Sequence, residues 1–98
     1  MEMYNPAHPG KILKEYMGDI SVTDMAKHLG VPSAELSRIL KGKKAISAEM
    51  SLRLSQAFET RAELWLDLQN QYDLWQAKHA KDVSYQQIKP VFNTPAYA

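Results

Sequence analysis

Cysteine is absent from the 98 residues, which excludes disulfides, thiol catalysis and any cysteine-based zinc site. That absence fits a reducing cytoplasm, the compartment expected for this chain. No apolar run approaches the roughly 18 residues that a membrane-spanning helix needs. The opening "MEMYNPAHPG" has neither a basic segment nor an apolar one, so no signal peptide is expected. Nothing alternates apolar and polar residues for long enough to read as a strand, and no repeat or low-complexity tract is present. Net charge is scarce too, at +1. A nucleic-acid partner therefore requires the cations to be gathered on one face.

Catalytic patterns are also missing. His8, His28 and His79 stand far apart, without metal-ligand spacing, and no G-x-S-x-G or glycine-rich phosphate loop occurs. No enzyme activity, metal or cofactor is expected.

What is present is helical periodicity cut by turn residues. Pro9-Gly10 introduces a helix with Ile12, Leu13, Tyr16 and Met17 at helical spacing, and Gly18 ends it. Ser21 and Asp24 have the form of a capping box for a second helix of about two turns, closed by Gly30. Pro32 fronts a third helix with Leu36, Ile39 and Leu40 on its buried side. Ser47 caps a fourth, bearing Met50, Leu54 and Phe58, and Thr60-x-x-Glu63 reads as the capping box of a long fifth helix over 61–80. The fold class expected is all-α: a compact five-helix bundle over 1–80, followed by an irregular or extended tail over 81–98.

The second and third helices carry the informative pattern. Met25, Leu29, Val31, Leu36 and Ile39 fall at core positions, Ala26 stands where the third helix crosses closest, and Gly30 occupies the turn. This joint pattern over 22–41 resembles a helix-turn-helix of the lambda-repressor-like (Cro-like) DNA-binding kind. In that frame Ser33, Ala34, Glu35, Ser37 and Arg38 face the major groove. Arg38 suits a bidentate pair with guanine, Ala34 a thymine methyl, and the two serines bases or phosphates. Glu35 is either a cytosine reader or a support for Arg38. Lys41, Lys43 and Lys44 suit phosphates, which position a helix without carrying sequence information. Ser21 and Thr23, at the start of the second helix, are a further phosphate anchor, in competition with capping by Ser21.

Three longer stretches, "HPGKILKEYM", "LKGKKAISAEMSLRLSQAF" and "ELWLDLQNQYDL", resemble together the HigA/VapI group of antitoxins over His8 to Leu74. The resemblance implies a homodimer that represses its own operon at a palindromic operator. It also implies a partner, a RelE-like, messenger-RNA-cleaving toxin of the HigB kind. The group often has serine or threonine capping the third helix, where this chain has Pro32. Ser33 is then the candidate to take over part of that capping.

In the fifth helix, Leu64, Trp65, Leu68, Tyr72 and Trp75 share a sector about 100° wide, while Leu66 and Leu74 lie outside it. The surplus of large apolar residues predicts a second packing partner. With the homodimer that the resemblance implies, the motif most specific to that group gives the expected dimer interface: Trp65, Leu66, Gln69, Tyr72, Asp73 and Leu74. A dimer also sets two recognition helices about 34 Å apart, matching successive major grooves.

Two other functions fit parts of the pattern: a stand-alone transcriptional regulator without a toxin, and a protein-interaction module that does not bind DNA. The first helix, Lys11 to Met17, and the tail, with Tyr85, Ile88, Val91 and Phe92, are the two candidate toxin-binding surfaces.

Overall fold

A computed structural model describes residues 5–91. Among these residues the chain forms α1 (Pro9–Met17), α2 (Val22–Leu29), α3 (Ser33–Leu40), α4 (Ala48–Phe58) and α5 (Ala62–Lys78). A short 3-10 turn, Ser84–Gln87, follows. No strand occurs among the described residues. None of these helices is long and apolar enough to cross a membrane.

Side chains set the starts of three helices. Ser21 accepts from the Asp24 amide at 3.1 Å, and Ser47 from the Met50 amide at 3.1 Å. Each satisfies one of the amides that a helix start leaves without a partner. At α1 the cap is His8, whose Nδ1 accepts from the Gly10 amide at 2.9 Å, with Pro9 as the first helical residue.

The fifth helix departs from expectation. Its N-cap is Arg61 and no side chain caps it, so Thr60 and Glu63 form no capping box. The Thr60 hydroxyl instead accepts the indole N–H of Trp65 at 2.9 Å. A buried indole needs an acceptor, and here that demand takes precedence over an exposed helix end. The tail differs as well, since its irregular course includes the 3-10 turn; Phe92 lies outside the described residues.

The core gathers every helix. Leu13 and Met17 come from α1, Met25, Ala26 and Leu29 from α2, Leu36 and Ile39 from α3, Met50 and Leu54 from α4, and Trp65 from α5. Ile46, in the loop before α4, completes it. Trp65 is fully buried, its ring edge-on to Tyr16 at 5.1 Å, and Tyr16 in turn meets Phe58 edge-on at 5.4 Å.

The α1–α3 crossing depends on Gly10. A Cβ there would collide with the Ile39 carbonyl oxygen of α3. This close approach ties the end of the third helix to the start of the first.

Candidate nucleic-acid interface

The α2–α3 pair is built around a left-handed glycine. Gly30 has φ 75° and ψ 34°, and its amide donates to the Ala26 and Lys27 carbonyls at 2.8 and 3.2 Å. The Val31 amide also donates to Ala26, at 3.0 Å, and completes the turn. Glycine enters this conformation without the steric cost that a Cβ imposes. Ala26 is buried between the two helices, as its small volume requires.

Pro32 then takes an extended conformation as N-cap of α3 without a side-chain hydrogen bond, and the Glu35 and Leu36 amides donate to its carbonyl at 3.1 and 3.2 Å. No side chain, Ser33 included, caps this helix.

Because Leu36 and Ile39 are fully buried, the opposite side of α3 is left outside the core. Ser33, Ala34 and Arg38 are exposed, and Glu35 and Ser37 are half-buried. No carboxylate among the described residues pairs with Arg38. Glu35 does not support Arg38. Its carboxylate lies 3.9 Å from the Lys44 ammonium instead. The reason is the turn after α3, where the Lys43 amide donates to the Arg38 carbonyl at 2.8 Å and brings the following residue back over the helix. Lys44 therefore faces an acidic partner, while Lys41 and Lys43 remain exposed and without an acidic partner among the described residues. Lys41 and Lys11 line an open cleft of about 460 Å³ together with His8 and Tyr72, and no carboxylate is part of its lining.

At the start of α2, Ser21 and Thr23 are both exposed. The Ser21 oxygen is engaged in capping. A phosphate at that end would have to be met by Thr23 and the free backbone amides.

The expected dimer residues divide. Trp65 and Gln69 are both occupied inside the protomer. Trp65 fills the core, and the Gln69 side chain accepts from the Ile46 amide at 2.8 Å and donates to Asp73 at 2.9 Å. Tyr72 is half-buried, with its ring edge-on to His8 at 4.9 Å. Leu66 is half-buried, Asp73 is exposed, and Leu74 is 59% exposed.

Three polar residues with structural roles had no such role in the sequence reading. Gln69 holds the loop before α4. His8 caps α1 from a buried position, and burial lowers its pKa while the nearby Asp73 carboxylate raises it in part. Its place directly before Pro-Gly is the local signal that identifies it as a cap. Arg53 of α4 donates from Nη1 to the Leu29 carbonyl at 2.7 Å, and its Nη2 meets Glu49 at 3.4 Å. The i,i+4 spacing of Glu49 and Arg53 is legible, but the reach to Leu29 is not.

Comparison with known proteins adds to this geometry. The helix-turn-helix family model HTH_3 matches residues 11–65. Virulence-associated protein A' of Dichelobacter nodosus is 47% identical over 77 residues, covering 76% of this chain and 67% of the relative. Two solved structures share the architecture. One is an addiction module antidote protein of a HigA family from Coxiella burnetii, with a TM-score of 0.81 and 36% identity, covering 90% of this chain and all of that one. The other is Pseudomonas aeruginosa antitoxin HigA with the higBA promoter, with a TM-score of 0.77 and 34% identity, covering 88% of this chain and 98% of that one.

Proposed function

Since the chain belongs to the helix-turn-helix family, in the branch of the HigA antitoxins and virulence-associated proteins, and is a DNA-binding regulator, we propose that it is the antitoxin and autorepressor of a toxin–antitoxin pair. In this reading it binds a palindromic operator as a homodimer and neutralises a HigB-like, messenger-RNA-cleaving toxin.

The observation that carries the DNA reading is the free side of α3. Of its exposed residues, Ser33 and Ala34 have short side chains, and Arg38 has no acidic partner among the described residues. Short side chains let the helix backbone come close to base edges, and the arginine then reads guanine O6 and N7. Ser37 and Glu35 sit at the margin of this surface; Glu35 offsets Lys44 and is left out of base reading. Lys41 and Lys43 contact phosphates, with Thr23 and the first amides of α2 as a second anchor. One short helix reads few base pairs, so recognition of a whole site requires two copies.

For the dimer we assign Leu66, Leu74 and Asp73, with Tyr72 at the margin. Leu74 is the large apolar side chain on α5 that its own core leaves most exposed. The similarity to proteins named as HigA antitoxins supports the toxin partner.

The test has two arms. Binding to DNA from upstream of the gene, followed in rising salt, should show log affinity falling linearly with log salt. Absence of specific binding in low salt would refute the repressor half. Co-expression with a neighbouring gene for a small basic protein should give a co-purifying complex, and that product alone should arrest growth. A lone gene, or a neighbour without toxicity, would leave a stand-alone regulator.

A further inference from the structure

We propose that Arg53 is a positioning residue for DNA recognition: from α4 it fixes the turn that aims α3, without touching DNA itself. The proposal rests on the DNA-binding reading above and assigns a role to a residue outside the helix pair.

The last carbonyls of any helix lack intrahelical partners. In α2, the Ala26 and Lys27 carbonyls are met by the Gly30 and Val31 amides. The Leu29 carbonyl is met from 24 residues away, by Arg53 Nη1 at 2.7 Å. A charge-assisted bond of this kind is among the stronger single hydrogen bonds in a protein. The cation also lies at the negative end of the α2 dipole.

One further contact, and the tight space beside Gly30, make the guanidinium a strut. Glu49 holds Nη2 from one turn earlier on α4, at 3.4 Å. On the other side, a Cβ at Gly30 would stand 3.0 Å from Arg53 Nη1. Gly30 thus serves the turn by its positive φ, and a Cβ there would also crowd the guanidinium.

The strut matters here because α3 begins without help. Pro32 offers no side-chain cap. The turn before α3 therefore adds to the core contacts in setting its orientation, and among the described residues Arg53 is a side chain from another helix that bonds to that turn. Recognition geometry must hold to about half an ångström, so loosening the turn weakens binding even when every DNA-facing side chain is intact.

The experiment compares the full-length wild type with Arg53→Met and Arg53→Lys, on the upstream DNA, over a salt series well below the melting temperature of each variant. Arg53→Met keeps the apolar stem and removes the hydrogen bonds. It should bind about tenfold more weakly, with the slope of log affinity against log salt unchanged, and Arg53→Lys should recover part of the loss. Wild-type affinity in folded Arg53→Met would overturn the proposal. A slope reduced by about one would make Arg53 a phosphate contact and overturn it as well. Should Arg53→Met fail to fold, Glu49→Gln takes its place, with a smaller loss at constant slope, and unchanged binding by Glu49→Gln is the overturning result. A wild type that ignores DNA would instead sink the DNA-binding reading, which separates the two failures.

Discussion

Helices α3 and α5 both place one side in the same core, yet their remaining surfaces differ in chemistry. In α3 the core takes Leu36 and Ile39, and what is left is short, polar and cationic. In α5 the core takes Trp65 and Gln69, and what is left includes Leu66 and the exposed Leu74. A surface of small side chains beside one arginine suits a polar, deeply grooved partner, whereas an exposed leucine suits another protein surface. The burial of Trp65 teaches a second point. A large aromatic in a surplus of apolar residues is not by itself a sign of an interface, because a small bundle has one core to fill.

Removing Trp65 should separate these two halves of α5 most sharply. Trp65→Ala deletes a fully buried side chain, so the folded protomer should lose about 3–5 kcal/mol, measured by urea denaturation at several protein concentrations. A loss confined to low concentration would return Trp65 to the interface. At the other end of the core, His8→Ala should cost about 1 kcal/mol through the lost cap of α1.

His8 also gives a pH signature. Its pKa lies below the ordinary 6.5, chiefly because burial disfavours the cation, with Asp73 opposing in part. The unfolded chain therefore takes up the proton more readily than the folded one. The stability that neutral His8 supports is fully present above about pH 6.5 and is lost as pH falls through that value toward the folded-state pKa. Protonation also turns Nδ1 from acceptor to donor, which removes the bond from the Gly10 amide. The wild-type denaturation midpoint should fall between about pH 7 and pH 5, and His8→Asn should show a shallower fall. Parallel profiles would remove His8 as the cause.

The smallest effect on the protomer is expected at Leu74. Leu74→Ser should leave protomer stability within about 0.5 kcal/mol while lowering dimer content in sedimentation equilibrium. Unchanged association would move the interface elsewhere.

The legibility of these regions follows from range in sequence. Ser21, Gly30 and Ser47 act on residues within a turn of themselves, so their roles as caps and turn stand in the sequence itself. The spacing of Met25, Leu29, Leu36 and Ile39 likewise gives the helix pair. Polar residues that act at a distance were not legible. Gln69 bonds to Ile46 and Arg53 to Leu29, 23 and 24 residues away; in sequence Gln69 reads as a dimer contact and Arg53 carries no assigned role. Thr60 shows the same limit from the other direction, since its cap motif gives way to the indole of Trp65. The candidate site was legible as a surface, and its internal pairing of Glu35 with Lys44 was not, because the path of the loop after α3 decides it.

The most direct test of the central claim, that α3 reads bases while the turn after it holds phosphates, is a parallel binding measurement on Arg38→Ala and Lys43→Ala. Affinity for the operator and for single-base variants of it would be followed over a salt series. Arg38→Ala should lose about 1–3 kcal/mol of binding and relax preference at one position in each half-site, while Lys43→Ala should keep its base preferences and reduce the salt slope by about one. Wild-type selectivity in Arg38→Ala would contradict it.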